Sequence, residues 1–453
     1  MFRLGAALLR PVARGALARR VPSFAIVPRM AVRNAASPAM AMVGGAVKVA
    51  AAPAAGTASK AVGYWLRGCG GMVASMIVIG GATRITRSGL AMVDWRPQGG
   101  LPPISDAEWE EEFAKYQDFP EYKRGTGAKN IEEFKPIYYL EWGHRMWGRL
   151  IGVVFAVPGL YFAARGRIPR HIQPRLVGLF GLGGLQGLVG WWMVKSGLDE
   201  ALLEEHAHEF STKETRVSPY RLAAHLGTAF VTYAGLVWTG LEMLEARAAP
   251  AVAGAAATLS REAVAHLGAV RRAGLVASSL VGVTVLSGAF VAGNDAGLAY
   301  NSWPEMGYDM QGENVYVPEG MMAMEPAWRN LFENTATVQF DHRNLAYATT
   351  AAVLTLAAVA RRDPALWATL PQSARTALYA ALGMTGVQVS LGIGTLLSYV
   401  PEGLAIAHQG GSVALFTICL TLMQSLSSAR RAQAGAALKH AGSVKAALKA
   451  AAV

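Results

Sequence analysis

Long apolar segments alternate along this chain with shorter polar ones. Eight of the apolar segments are nearly free of charge, namely residues 69–83, 150–164, 176–194, 222–241, 273–293, 344–360, 376–400 and 403–429. With its flanks, each segment supplies the roughly 20 residues that a helix needs to cross a lipid bilayer. A helix also satisfies its backbone hydrogen bonds within one segment. The pattern therefore predicts an all-α membrane protein with eight transmembrane helices.

Composition narrows the class further. Of the 453 residues, 53% are apolar and only 16% are charged, whereas a soluble domain averages about 25% charged residues. A soluble enzyme, a disordered chain and an outer-membrane barrel are therefore excluded. The two cysteines, Cys69 and Cys419, both fall in predicted spans, so the sequence offers no disulfide framework and no zinc or iron–sulfur motif.

The first sixty residues differ from the rest of the chain. They carry nine lysine and arginine residues and no acidic residue, and the first acidic residue is Asp94. An arginine-rich, acid-free start that contains alanine and serine is typical of an organelle presequence. We therefore expect residues 1–60 to form a mitochondrial presequence and a disordered region.

Loop charges predict the orientation in the membrane. Residues 165–175, 361–375 and 429–453 are basic, whereas residues 104–135 and 294–341 are acidic. Since basic loops stay on the inner side, both termini are expected in the mitochondrial matrix. The acidic loops are expected to face the intermembrane space. The formal charge of +12 then reflects topology and targeting, and no nucleic-acid partner is predicted.

An internal repeat divides the eight predicted spans into four plus four. The segment SGLAMVDW (88–95) after the first span resembles DAGLAYNSW (295–303) after the fifth. The repeat predicts two tandem four-helix bundles related by pseudo-twofold symmetry. The expected segments are a presequence region 1–60, a first bundle 61–245, a matrix linker 246–270, a second bundle 271–428 and a basic matrix tail 429–453.

Four of the nine histidines lie near the start of an even-numbered span, so they are expected at one depth toward the outer leaflet. They are His144, His225, His342 and His408, and the other five (His171, His206, His208, His266 and His440) are expected in loops or tails. Two imidazoles on facing helices bind the iron of a planar haem from both sides. A zinc site would call for cysteine or carboxylate ligands, of which the neighbourhood offers little. The sequence therefore predicts two haem sites, His144 with His225 and His342 with His408.

Polar neighbours distinguish the two predicted sites. Arg145 and Arg343 each follow a histidine, where an arginine either pairs with a haem propionate or extends to the membrane interface. Glu141 precedes His144 by three residues and shares its helix face, while Gln339 takes that place before His342. A carboxylate beside only one haem suggests proton-coupled or cation-generating chemistry at the first site. The second site would then hold an electron-transfer or structural haem. A glutamate favoured by the helix dipole is the alternative interpretation.

These residues belong to longer stretches that carry a family resemblance. The stretches are SGLAMVDW (88–95), EWEEEFAKYQ (108–117), EFKPIYYLEWGHRMWGRLIG (133–152), GWWMVKSGL (190–198), RVSPYRLAAHLG (216–227), GAFVAGNDAGLAYNSWPEM (288–306), VQFDHRNLAY (338–347) and AIAHQG (405–410). From about residue 62 to 428, the chain resembles the eukaryotic, mitochondrial haem A synthase family. That family converts haem O to haem A for cytochrome c oxidase.

The resemblance implies roles that spacing alone does not. It implies four ligand histidines at His144, His225, His342 and His408, an essential glutamate at Glu141, substrate haem O in the N-terminal half and haem b in the C-terminal half. The implied reaction oxidises the C8 methyl of haem O to a formyl group by successive hydroxylation and loss of water. Many bacterial members have a cysteine pair in the loop after the first span. This chain has no cysteine between Gly70 and Ile418, so a thiol relay there is excluded.

Partners and location follow from the same resemblance. Electrons are expected from a ferredoxin-type donor. Further expected partners are the lipid bilayer, the farnesyltransferase that makes haem O, cytochrome c oxidase assembly factors and a second copy of the chain. The expected location is the mitochondrial inner membrane, with the haem sites toward the intermembrane space.

Other classes of function remain open at this stage. A bis-histidine di-haem electron-transfer cytochrome would hold two permanent haems and would not depend on Glu141. A transporter is the second alternative because transporter folds share the four-plus-four repeat. A haem-binding scaffold for oxidase assembly is the third, and it would form no product.

Overall fold

Eight long helices dominate the computed structural model, which describes residues 55–92, 94–198, 215–245, 260–308 and 311–451. We number them α1 Ala55–Ile85, α2 Ile131–Ala164, α3 Gln173–Leu198, α4 Pro219–Glu245, α5 Arg261–Gly293, α6 Thr335–Arg361, α7 Gln372–Leu397 and α8 Glu402–Ala451. The short helices are Ser88–Leu90, Asp106–Gln117, Pro120–Lys123, Ala296–Ala299, Ala327–Leu331 and Pro364–Ala368. Strands β1 Gly307–Tyr308 and β2 Asn314–Val315 form one antiparallel pair. The predicted all-α class is confirmed for the described residues.

Six of the long helices, α1, α2, α3, α5, α7 and α8, are long and apolar enough to cross a membrane. Helices α4 and α6 are as long as several of these but are not among the six. Helix α6 contains the polar run Asp341, His342, Arg343 and Asn344. The described residues therefore support a membrane protein with six candidate spans by composition.

Helix ends differ from the boundaries that the apolar segments predicted. Helix α1 begins at Ala55, inside the segment expected to be presequence; residues 1–54 lie outside the described ranges. Helix α5 begins at Arg261, inside the expected linker, where the side chain of Ser260 caps it by accepting from the amide of Ala263. Helix α8 continues to Ala451 through the expected tail, because alanine, lysine and arginine all favour helix.

Packing joins the two halves through their inner helices. Helix α1 packs on α2 and α4, α5 packs on α6 and α8, and α7 packs on α8. Helices α4 and α8 also contact each other, and each touches the first helix of the other half. Across this seam the side-chain amide of Gln409 on α8 donates to the backbone carbonyl of Ile77 on α1, at 2.8 Å.

The two copies of the sequence repeat form the same turn. Arg87 and Asp295 occupy equivalent positions after α1 and α5, with φ values of 56° and 49°. Left-handed backbone is uncommon for residues other than glycine. A short helix follows at each place, Ser88–Leu90 and Ala296–Ala299. The repeat therefore encodes one local structure twice.

A layer of short helices covers the N-terminal end of α2. Its core consists of buried aromatic side chains from the segment between α1 and α2 and from the first turns of α2, namely Trp109, Phe113, Tyr116, Phe134 and Tyr138. Ser105 and Glu108 form a capping box at the start of Asp106–Gln117. Glu121 is buried in this layer and accepts a hydrogen bond from the Tyr116 hydroxyl at 3.1 Å. The layer stabilises α2 well beyond its apolar segment.

Two histidine pairs as the candidate functional site

The four singled-out histidines fall into two pairs. His144 on α2 is close enough to His225 on α4 for the two imidazoles to interact electrostatically. In the second half, His342 on α6 lies within electrostatic range of His408 on α8. All four side chains are half-buried. The sequence predicted the same two pairs from facing helices within each half, and their role as haem ligands stays a prediction.

Each imidazole packs against a glycine of the helix that precedes its own. A methyl group added at any of these glycines would lie 3.0–3.2 Å from the ring, closer than ordinary van der Waals contact. The pairs are Gly80 with His144, Gly190 with His225, Gly288 with His342 and Gly392 with His408. Three rings present Cε1 to their glycine, whereas His144 presents Nε2. These glycines leave the space that the rings occupy.

The ring nitrogens show what the sites can bind. Nδ1 of His342 hydrogen-bonds with the Ser287 hydroxyl at 2.7 Å. In the described part of the chain, the buried Nδ1 of His225 has no hydrogen-bond partner, whereas the ring of His408 lies next to the backbone of Gln388. The described residues contain no cluster of three or more histidine, cysteine or acidic residues suited to a bare metal ion. The two imidazoles in each half would supply the pair of nitrogen ligands that a haem iron can take.

Glu141 is held firmly beside the first pair. Its buried carboxylate accepts from the amide of Met92 at 2.7 Å and from the guanidinium of Arg145 at 2.5 Å. Arg145 also donates to the backbone carbonyls of Met92, at 3.1 Å, and Asp94, at 2.9 Å. The carboxylate therefore joins α2 to the repeat segment that follows α1, one helical turn from His144.

Arg343 makes the corresponding contacts in the second half. It is buried and donates to the backbone carbonyls of Ser302 at 2.6 Å, Pro304 at 2.8 Å and Glu305 at 2.9 Å. Gln339, the counterpart of Glu141, donates to the Tyr300 carbonyl at 3.4 Å. The partners predicted for the two arginines were a haem propionate or the membrane interface. Their hydrogen bonds to loop carbonyls were not predicted.

A charged cluster between the halves was also not predicted from the sequence. Asp295, at the end of α5, lies 3.0 Å from Arg84 of α1 and 3.1 Å from Arg216. Arg84 donates in addition to the backbone carbonyl of Ala292 at 2.6 Å. All three charged side chains are largely shielded from solvent. The repeat offered one signal, because Asp295 opens its second copy.

One expectation for the remaining histidines is wrong. His266 was expected in a loop, but it lies in α5 and is fully buried, because α5 begins earlier than its apolar segment. His206 and His208 lie outside the described residues, and the side chain of His440 is likewise not described.

Fold and site together define a polytopic α-helical membrane protein with two histidine pairs suited to haem. The chain belongs to the COX15-CtaA family of cytochrome oxidase assembly proteins, which it matches over residues 63–420. The resemblance found in the sequence is thereby confirmed.

Individual relatives agree with this assignment. The protein named heme A synthase COX15 from Arabidopsis thaliana is 46% identical over 82% of this chain and 75% of its own length. The human protein of the same name is 44% identical over 82% of this chain and 83% of its own. A bacterial heme A synthase from Rhodospirillum centenum is 46% identical over 80% of this chain and 89% of its own.

Proposed function

We propose that this chain is a haem A synthase, which oxidises the C8 methyl group of haem O to a formyl group. The product, haem A, is destined for cytochrome c oxidase. One observation carries the proposal: the two histidine pairs pack against glycines in the same way, yet only the first has a buried carboxylate, Glu141, one turn away. Two equivalent electron-transfer sites would not need this difference. The names of the relatives support the same activity.

The asymmetry supports a separate role for each site. Haem O is the substrate of the pair His144 and His225, and haem b is the cofactor of the pair His342 and His408. Haem b supplies electrons when bound. The imidazoles orient the two macrocycles, and the glycines beneath them determine how far each ring extends from its helix.

Glu141 acts on the substrate side. Met92 and Arg145 fix both of its oxygens, so the carboxylate is preorganised beside the first site. A fixed negative charge there stabilises cationic character at the methyl carbon, and the same group can relay a proton. Arg145 and Arg343 hold the repeat segments next to the histidines. Pairing of either arginine with a haem propionate stays a prediction.

The topology proposal combines the repeat with the loop charges. We infer eight spans in two four-helix bundles. Helices α4 and α6 are included as spans because each carries a histidine that lies close to one on α2 or α8. The eukaryotic relatives and the apolar helices support a mitochondrial membrane protein. Both termini lie in the matrix in this proposal, and the haem sites lie toward the intermembrane space. A ferredoxin-type donor, the haem O-producing farnesyltransferase, oxidase assembly factors and a second copy are the proposed partners.

Haem extraction from the purified, detergent-solubilised protein tests the proposal. Chromatography and the reduced pyridine spectrum identify the haems. We expect haem b together with haem O, a hydroxylated intermediate or haem A. Two equivalents of haem b alone would support the bis-histidine electron-transfer cytochrome instead. A protein without haem would contradict both functions.

A further inference from the structure

Three hydroxyl side chains on α5 and α6, those of Ser287, Thr284 and Thr349, lie on the helix faces next to His342. Ser287 contacts Nδ1 of the ring at 2.7 Å and also donates to the backbone carbonyl of Thr284 at 2.8 Å. The hydroxyl of Thr284 in turn lies 2.8 Å from that of Thr349 on α6.

The first half has apolar side chains at all three corresponding positions. The repeat aligns Gly89 with Gly297, and the same offset aligns Gly80 with Gly288, so α1 and α5 match without a gap. Ser287 then corresponds to Ile79 and Thr284 to Met76. Counting seven residues on from each histidine, Thr349 corresponds to Ile151. Within the described residues, the ring of His144 has no hydrogen-bond partner.

The Ser287 contact fits one of the two neutral tautomers of His342. In the tautomer protonated at Nδ1, the ring donates to the Ser287 hydroxyl oxygen, and the hydroxyl directs its own proton to the Thr284 carbonyl. The backbone of Thr284 also lies next to the ring. An imidazole protonated at Nδ1 has its free lone pair on Nε2, the nitrogen that would then be available to an iron atom. The contact therefore favours the tautomer and the ring orientation that a ligand requires.

We propose that Ser287 is a positioning residue that keeps His342 ready to bind iron and so makes the haem of the second half resident. The first half lacks this contact, and its site is correspondingly built to exchange haem between substrate and product. This inference rests on the proposed function, which it deepens by explaining why two similar histidine pairs differ in role. Hydrogen bonds to the second nitrogen of a metal-bound histidine fix the ring and increase its basicity, and their loss typically costs 10- to 100-fold in metal affinity.

The test compares serine variants in a full-length protein that has only the second site. A His144→Ala, His225→Ala parent provides it, and Ser287→Ala is introduced into that parent. Haem b transfer to an excess of a haem-scavenging apoglobin gives the loss rate, and a redox titration gives the midpoint potential. We expect Ser287→Ala to lose haem about 10- to 100-fold faster and to have a more positive potential, because a less basic ligand stabilises the ferric state less.

Two further variants separate positioning from a general structural effect. Ser287→Thr keeps the hydroxyl and is expected to restore the loss rate and the potential of the parent. Ser278→Ala is the matched control, because Ser278 lies on the same helix but contacts the Gly274 carbonyl and the Cys419 side chain instead of a histidine. It is expected to behave as the parent does. A loss rate and potential unchanged in Ser287→Ala, or a lowered melting temperature without a change in potential, would overturn the role of Ser287.

The reciprocal variant tests the first half. In a parent with His342→Ala and His408→Ala, Ile79→Ser is expected to slow haem loss from the pair His144 and His225. An unchanged loss rate would overturn the claim that the missing hydroxyl makes this site exchangeable. Parents that bind no haem at all would contradict the proposed function itself, whereas haem-loaded parents with unresponsive variants would contradict only this inference.

Discussion

A single methyl group decides whether an imidazole can keep its place in these sites. His408 lies so close to Gly392 that an added Cβ would approach the ring to 3.0 Å. On the same helix, nothing lies within 4 Å of the corresponding point at Gly394. The two glycines therefore form a matched pair, because Gly392 contacts His408 and Gly394 contacts no such side chain.

Gly392→Ala is expected to displace the His408 ring and to weaken haem b binding by about 10-fold or more, within the range for disturbed metal ligands. The haem content and the low-spin absorption spectrum of the purified protein measure the effect. Gly394→Ala serves as the control and should keep both. Equal haem content in the two variants would show that the close contact does not position the ring.

Glu141 makes a different kind of contribution, because its role lies in its charge. Glu141→Gln keeps the size of the side chain and can still accept from the Met92 amide, but it removes the negative charge beside Arg145. We expect haem A output to fall by about 100-fold or more, while haem b content remains normal. Haem extraction from cells that express the variant measures both. Full haem A output with normal haem content would contradict the proposed role of the carboxylate.

At the scale of elements, the layer of short helices at the N-terminal end of α2 contains a buried carboxyl group, that of Glu121. Burial raises the pKa of Glu121 from 4.5 to about 7. Between these two values the folded layer retains a proton that the unfolded segment releases, so stability falls as the pH rises through this window. The shift corresponds to about 3 kcal/mol at most.

The layer is therefore expected to be more stable near pH 5 than near pH 8. Hydrogen exchange of the segment 106–134 at the two pH values measures this difference, after correction for the intrinsic rate. Glu121→Gln cannot ionise and is expected to lose the pH dependence. A wild-type layer with equal protection at both values would contradict the prediction.

The elements themselves were predictable in part. The uncharged runs lie within the eight long helices or extend only a few residues past them, because a run without charges long enough to span a bilayer has few other structures open to it. The ends of the helices were harder to predict from the sequence. Residues 131–149 of α2 carry several charges, and this part of the helix is held by contacts such as those of Phe134 and Tyr138 with Trp109. Such contacts join residues far apart in sequence, so local patterns do not reveal them.

At the scale of the whole molecule, Asp295 links the halves through Arg84 and Arg216. Without the carboxylate, the positive charges of the neighbouring guanidinium groups are no longer balanced by a nearby negative charge. Loss of one partner from a buried ion pair is strongly destabilising. Asp295→Asn is the suitable variant because asparagine tolerates the left-handed backbone at this position.

Asp295→Asn is expected to lower the free energy of unfolding by about 3 kcal/mol, and thermal unfolding in detergent measures the change. Asp94→Asn is the control, because Asp94 pairs with Arg96 at 3.1 Å but both side chains are about half exposed. Its effect is expected to stay below about 0.5 kcal/mol. Similar melting temperatures for the two variants would mean that Asp295 does not stabilise the contact between the halves.

The sequence by itself determined the class of this protein and the residues that matter most. Its long uncharged segments require helices in a membrane, its repeat requires two related halves, and its four histidines recur at matched positions. Only the tertiary structure decided what those residues touch. Four features arise where distant segments pack together. They are the glycine beneath each imidazole, the loop carbonyls bound by Arg145 and Arg343, the hydroxyl side chains near His342 and the burial of His266. Their physical cause is the approach of one helix or loop to another, which no single stretch of sequence encodes.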